Sequence, residues 1–432
     1  MSDQLDQRHP LYRLADKIHW FTFEKEFSVL YSSDNGRPAK PIRLMCGLLI
    51  LKHLRNLSDE SVVEQWSENA YYQYFCGCPH FTPSFPCNAT ELVHFRNRIG
   101  EKGMELILRE SIRVNDDDPS GQGDKTAFID STVQEKNITY STDAKSHKKI
   151  IKKCRQISKK ESLPVRQSYT RILKELSRDQ RFRNHPKNRK KALRADREIK
   201  VIADRLVREL ERNLGEHSLY AGLITLFKKV LSQSKNSKDK IYSLHEPHVL
   251  CISKGKEHKK YEFGNKVSII SSLRGVILGA LSFRNEYDGH TIDRALAQVG
   301  RITGKVPDLL AGDRGYRGQK QSGNTQIVIP GVPKARDSRY QKDKKRKLFC
   351  KRAGIEPRIG HLKSDHRLGR NFYKGLRGDA INIILAAAAF NFKRAMRVLL
   401  CIIQERLLKR EMQKIRLSSH INKSDFYYNR AF

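Results

Sequence analysis

Ala127-Phe128-Ile129-Asp130-Ser131-Thr132 is a short run of buried-type residues that stops on an acid. Thr126 to Asp130 therefore predicts a buried strand with a carboxylate at its end. A second run, Leu309-Leu310-Ala311-Gly312-Asp313, repeats the pattern and continues as Arg314-Gly315-Tyr316-Arg317-Gly318. A third acid, Glu356, lies in Lys351-Arg352-Ala353-Gly354-Ile355-Glu356-Pro357, with Lys363 seven residues further on. Two strand-end aspartates and a helical glutamate offer oxygen ligands alone, which suits hard divalent cations. Two such ions can clamp the attacking and leaving oxygens of a phosphodiester exchange.

The remainder of the chain points to the same class of substrate. The 432 residues predict two or three domains. A formal net charge of +37 and a pI near 10.0 fit a phosphate-bearing polymer better than a small metabolite. A ribosomal or packaging protein shares the charge but needs no such apolar runs, and 38% hydrophobic residues are enough for real cores. No stretch approaches the roughly 20 apolar residues of a membrane span. The best candidate, Ile381 to Phe390, is interrupted by Asn382 and reads as a buried helix. Met1-Ser2-Asp3-Gln4 lacks a basic-then-apolar signal, so no membrane partner is expected and the expected location is the cytoplasm. The eight scattered cysteines predict reduced thiols. Cys76-Gly77-Cys78-Pro79-His80 with Cys87 lacks two well-formed zinc-ligand pairs and is expected to serve as small buried hydrophobes.

Residues 1 to 118 read as an N-terminal helical domain. Pro41 to Leu57 carries apolar residues at helical spacing, with Pro41 suited to a first helical position. Ser58 is expected to cap the next helix, on which Val62, Val63 and Trp66 face inward. Asn88-Ala89-Thr90-Glu91 has the form of a capping box. Arg96 and Arg98 on the last helix fit either a helix-turn-helix-like DNA reader or a plain helical dimerisation or packing domain. Trp20, Trp66 and Tyr71-Tyr72 could stack on bases, but core packing is the expected role. Asn115 to Gly121 marks a boundary, and residues 119 to 400 form the second domain. It is interrupted at 145 to 240, where 29 Lys and Arg stand against 10 Asp and Glu. That segment predicts basic helices over Arg166 to Arg178 and Lys190 to Leu214, with Val201, Ile202, Leu206, Val207 and Leu210 as their stripe. It is either a DNA-facing insertion or a solvated helical pair. Tyr261 to Ile270 and Gly275 to Phe283 predict a hairpin, Asp288-Gly289 a turn, and Thr291 the cap of a helix through Gly300. Val306 to Asp313 and Gln326 to Pro330 predict further strands, and helix dominates from Lys344. Residues 401 to 432 are expected to be a basic C-terminal tail. Together this predicts an α/β domain, a mixed sheet flanked by helices.

Asp313-Arg314-Gly315-Tyr316-Arg317 resembles the second signature of bacterial insertion-sequence DDE transposases. Arg352, Glu356 and Lys363, with three and six residues between them, resemble the third, and Asp130-Ser131-Thr132 resembles the first. Tyr261-Glu262-Phe263-Gly264-Asn265-Lys266 and Tyr287-Asp288-Gly289-His290-Thr291 are similar to the insertion-sequence-five group. The resemblance covers nearly the whole chain in order. It implies an RNase H-like catalytic fold, with the first Asp on the opening strand, the second at the end of a later strand, and the Glu on a helix near both.

The resemblance further implies catalysis and metal binding by Asp130, Asp313 and Glu356. Two Mg²⁺ ions are expected, with Mn²⁺ able to substitute. Arg317, Arg352, Lys363, Tyr316 and His290 are the expected contacts to double-stranded DNA, meaning element ends and target. Arg352 and Lys363 are expected to share the face of Glu356. An element has two ends, so a homodimer or larger synaptic complex is expected. The implied activity is a transposase that cleaves the ends of its own element and joins the 3′ hydroxyls to target DNA. The rivals are a non-catalytic regulator derived from such an enzyme and a stand-alone RNase H-like nuclease. One departure is Phe349, where the family usually has Tyr, so a ring is kept and a hydroxyl lost. Pro357 after Glu356 predicts a helix that starts or kinks there.

Overall fold

The computed structural model describes residues 1–32, 38–116, 125–215, 219–234, 236–253, 260–332 and 336–428, those from 406 onward by backbone alone. The expected boundary at 118/119 lies outside the described residues. The chain divides into two compact units. Met1–Gln134, Lys266–Tyr373 and Arg377–Phe432 make the first, and Glu135–Asn265 with Lys374–Leu376 the second.

The first unit opens with six helices: α1 (Pro10–Lys17), α2 (Trp20–Ser28), α3 (Ile42–Leu54), α4 (Asp59–Glu68), α5 (Ala70–Phe75) and α6 (Ala89–Val114). Their ends follow local chemistry. Ser58 Oγ accepts from Ser61 N at 3.0 Å and starts α4, and the Asn88/Glu91 capping box starts α6. Pro41 sits just outside α3, in the cap position, rather than first within it. Gly100 breaks α6 into two segments with a φ of 61°, a conformation that favours glycine. Arg96 is buried, its guanidinium 2.9 Å from Asp59 and over the Tyr373 ring, so it is not available to read DNA. Trp20, Trp66 and Tyr72 are buried, as core packing requires, while Tyr71 stacks on His9. Cys46, Cys76 and Cys87 are buried free thiols.

Strand β1 (Thr126–Lys136) follows. The second unit carries α7 (Asp143–Lys160), α8 (Thr170–Asp179), α9 (Pro186–Leu214), α10 (Ala221–Ser232) and β2 (Leu250–Ser253). It has its own core, including Ile150, Cys154, Ile199, Leu206 and Phe227. Of the stripe expected on α9, Ile202, Leu206, Val207 and Leu210 are buried, whereas Val201 falls on the exposed side.

The first unit resumes along β3 (Tyr261–Ser272). It continues with β4 (Ile277–Phe283), α11 (Ile292–Thr303), β5 (Leu309–Ala311), β6 (Gln321–Ser322) and β7 (Thr325–Val328). It ends with α12 (Arg339–Arg352), α13 (Ile355–Asp365), β8 (Arg370–Asn371) and α14 (Gly375–Tyr428). Strand β4 pairs antiparallel with β3, and β3 lies next to β1. Strands β1, β5 and β7 run parallel, and β6 closes the edge as a hairpin with β7. This is the expected α/β, RNase H-like class of fold, a mixed sheet flanked by helices.

Strand alternation explains the continuous apolar runs. On β1, Phe128 enters one core while Ala127 and Ile129 enter the other. On β3, Ile269 and Ile270 divide in the same way. A strand covered on both faces has no polar side to show. The first core is shared by α1–α6, the sheet, α13 and α14. Strand β5 is shorter than the expected Val306 to Asp313 run. Pro307 supplies no N–H to a ladder, and pairing begins at Leu309. Thr291 is not a side-chain cap. Its Oγ1 donates to the Asp288 carbonyl at 2.7 Å instead. The backbone of α14 runs through the start of the expected tail to Tyr428.

Candidate active site

The register of the parallel strands decides where the two aspartates lie. Phe128 pairs with Ala311, the last pair of β1 and β5. Asp130 and Asp313 each follow two residues later and so stand side by side, Asp313 just past the end of β5 and Asp130 within β1, which runs on to Lys136 instead of ending at the acid as expected. Asp130 Oδ1 accepts from the Ser131 N–H at 2.8 Å, and Oδ2 lies 3.1 Å from the Arg352 guanidinium. Asp313 Oδ1 accepts from the Gly315 N–H at 2.9 Å and so starts the one-turn 3₁₀ helix Arg314–Tyr316. A Cβ on Gly315 would stand only 2.9 Å from that same carboxylate oxygen, which explains the glycine.

Glu356 is the second residue of α13 and is exposed. Helix α12 ends at Arg352, and Pro357 falls in the first turn of α13, where its missing N–H costs nothing. Three apolar residues, Ile355, Ile359 and Leu362, seat α13 in the core. Arg358 fixes its rotation. The guanidinium donates to Ser271 Oγ and to the Ser272 carbonyl in the β3–β4 turn. Gly275, with a φ of 92°, leaves the space that this side chain fills.

Asp130 feels the charge of both other acids. Burial raises the Asp130 carboxyl to about 6, Arg352 opposes the shift, and the charges of Asp313 and Glu356 add to it. Asp130 therefore lies within electrostatic reach of both other acids. The donor set is carboxylate oxygen alone, which fits Mg²⁺ or Mn²⁺ and not zinc. Among the described residues, no three such side chains are gathered tightly enough to hold an ion as they stand, and Arg352 supplies the counter-charge to Asp130.

The other expected contacts divide. Arg352 lies close to the acids, but on α12 rather than on the helix of Glu356, so the two do not share a helical face. Its Nε is buried without a hydrogen-bond partner. Lys363 lies in the last turn of α13 and is partly buried. Arg317 is exposed just beyond the Asp313 turn. His290 is exposed, with its ring 5.7 Å from that of Tyr287. Tyr316 is a correction. Its side chain is fully buried between the sheet and α11, beneath the turn, and does not face a substrate.

Three residues beside the acids carry contacts that the sequence did not single out. Asp288 accepts from Ser131 Oγ at 2.6 Å and pairs with Lys266 Nζ at 2.7 Å. The only sequence signal was their place in the runs Tyr261–Lys266, Tyr287–Thr291 and Asp130–Thr132. No spacing rule links residues so far apart.

Two comparisons with known proteins bear on this geometry. The family described as a transposase domain (DUF772) matches residues 1–98, and the transposase DDE domain matches residues 245–392. The chain is also similar to a Rhizobium meliloti protein described as "Uncharacterized protein ORF8 in nfe locus". The two are 38% identical over 172 residues, which span 39% of this chain and 83% of that protein. No solved structure matches.

Proposed function

Because the chain belongs to the insertion-sequence DDE transposases, we propose that it cleaves the ends of its own insertion sequence and joins the freed 3′ hydroxyls to target DNA, with Asp130, Asp313 and Glu356 holding two Mg²⁺ ions. The observation that carries this reading is the parallel register, which aligns the two aspartates on neighbouring strands, with the charges of Asp313 and Glu356 both reaching Asp130. Two divalent cations held there would supply charge stabilisation for the attacking and leaving oxygens of the exchange. The protein's own task is to hold the three carboxylates and the DNA in register. Strands β1 and β5 fix the aspartates, and Arg358 with the apolar face of α13 fixes Glu356. Arg352, Lys363 and Arg317 take backbone phosphates, for which the guanidinium is the better fork.

The motifs favour the insertion-sequence-five group. Two ends imply a dimer or larger synapse, and a nucleoid-associated cytoplasmic enzyme is the natural setting. Among the described residues, no helix is long and apolar enough to cross a membrane. The N-terminal helices are proposed to read the element ends, through exposed residues such as Arg98 rather than the buried Arg96.

The test is cleavage of a duplex carrying the element's terminal repeat, run beside a gel-shift assay. Asp130→Asn, Asp313→Asn and Glu356→Gln each remove a ligand charge at nearly constant shape. Each is expected to lower Mg²⁺-dependent cleavage by at least about a thousandfold, given what charge stabilisation contributes at such sites. End-DNA binding is expected to be retained. Near-normal cleavage by any one of them removes that residue from the site.

A further inference from the structure

Resting on that reading of the site, we propose that Asp288 is a positioning residue that sets the spacing of Asp130 and Asp313 through a Lys266–Asp288–Ser131 link. Its two carboxylate oxygens divide their partners. Oδ2 accepts from the hydroxyl of Ser131, the neighbour of Asp130, at 2.6 Å, and Oδ1 accepts from Lys266 Nζ at 2.7 Å. The Asp288 side chain is mostly buried and Lys266 is about one-third exposed, so this pair is shielded and geometrically tight.

The backbone around Asp288 is tied to the other aspartate. A Cβ on Gly289 would stand 2.8 Å from the Arg317 carbonyl, so the two turns are in direct contact there. Tyr287 Oη donates to the Arg314 carbonyl at 3.5 Å. A Cβ on Gly315, the residue whose N–H holds Asp313, would stand 3.7 Å from Asp288 Oδ2. Thr291 Oγ1 donates to the Asp288 carbonyl and holds the turn itself. Asp288 thus grips the strand of the first aspartate with its side chain, while its neighbours Tyr287 and Gly289 contact the turn that follows the second. Lys266 pairs with Asp288 and offsets the charge that this fourth carboxylate brings beside the other acids.

The test uses the full chain and the terminal-repeat duplex, with Mg²⁺ and Mn²⁺ as separate metals. Mg²⁺ demands near-ideal octahedral geometry, so misplaced carboxylates penalise it more than Mn²⁺. Asp288→Ala is expected to lower the Mg²⁺-supported rate about a hundredfold, the cost of a misplacement near 1 Å, and the Mn²⁺-supported rate clearly less. Asp288→Asn keeps an acceptor for Ser131 and is expected to recover about tenfold of that loss. Ser131→Ala is expected to shift the Mg²⁺/Mn²⁺ ratio in the same direction by a smaller factor. Binding of Mn²⁺, followed through the paramagnetic resonance of the free ion, is expected to give the same number of bound ions in Asp288→Asn as in the unaltered protein.

Loss of an ion in Asp288→Asn would make Asp288 a ligand and overturn the proposal. So would equal losses with both metals, the mark of a general packing defect, or an unaltered rate in Asp288→Ala. Asp130→Asn serves as the control. If it cleaves normally the active-site reading itself falls, whereas an inactive Asp130→Asn beside a normal Asp288→Ala removes only this inference.

Discussion

Tyr316 directly follows the Arg314-Gly315 turn of Asp313, a position from which a phenol is expected to reach substrate, yet it lies wholly inside the protein. Burial raises its hydroxyl above the usual phenol range; the nearby Ser268 hydroxyl opposes the shift, and Asp288, Asp130 and Asp313 add to it. Neither that hydroxyl nor the Ser268 hydroxyl has a partner of hydrogen-bond geometry among the described residues. A buried hydroxyl without a partner contributes little or costs stability, so its removal is harmless. Tyr316→Phe is therefore expected to cleave and bind end DNA as the unaltered protein does. Its unfolding free energy should be unchanged or raised by up to about 1 kcal/mol. A loss of end-DNA affinity in a gel-shift titration would put the phenol back at the DNA. The contrast with Asp130 and Asp313 is instructive. An acid closing an apolar run is a one-dimensional pattern, and the parallel register of β1 and β5 places the two side by side. The direction of the Tyr316 side chain depends on α11 packing across it, and the Asp288 link joins residues 157 positions apart. Neither is written in any local spacing.

Helices α3 and α14 meet through polar groups as well as apolar ones. The amide nitrogen of Asn382 donates to Gln134 Oε1 at 2.7 Å and to the Arg367 carbonyl at 3.0 Å, which leaves its oxygen to accept from His53 Nε2 at 3.2 Å. His366 Nδ1 donates to the His53 carbonyl at 3.1 Å. The sequence showed Asn382 only as an interruption in an apolar helix, since its partners come from three distant segments. Burial lowers the pKa of both histidines. Lys52 and Arg367 add to the effect on His53, and Lys393 and Arg397 to that on His366, where Asp365 and the hydrogen bond oppose it. The sign of the consequence is fixed by linkage. Below about 6.5 the unfolded chain takes up protons that the folded protein refuses, so stability falls as pH falls from there toward the folded pKa values. Each histidine contributes up to about 1.4 kcal/mol per pH unit in that window. Urea unfolding at pH 7.5 and 5.5 is expected to show the midpoint dropping with acid. His366→Asn, which retains a donor, is expected to make the drop smaller. An identical drop in the variant would mean that His366 is not part of it.

At the scale of the whole molecule the charge is concentrated rather than spread, and the second unit carries much of it. Its helices α7–α10 close over a core of their own, so the expected stripe on α9 is used for packing and the cations are displayed around it. Some of those cations are engaged. Lys191 pairs with Asp179 at 2.9 Å, Arg208 with Asp204 at 2.9 Å, and Arg183 with Asp196. Lys187, Arg189, Lys190 and Arg194, at the start of α9, are exposed and take no part in these pairs. They are the residues to ask whether this unit grips DNA or is merely solvated. A cation on a phosphate releases a condensed counterion, so its contact appears in the salt dependence of binding, about 0.9 in log–log slope per phosphate on duplex DNA. Reversal of all four to Glu keeps good helix formers throughout, and at Lys187, in the first turn, an acid also complements the helix dipole. If the unit holds DNA through them, the full-length variant binds terminal-repeat and unrelated duplexes more weakly by a similar factor. Its salt slope flattens by up to about 3 to 4 units. A weakening confined to the terminal repeat would instead make this surface the sequence reader. An affinity and slope equal to those of the unaltered protein would mean that these four cations meet water alone.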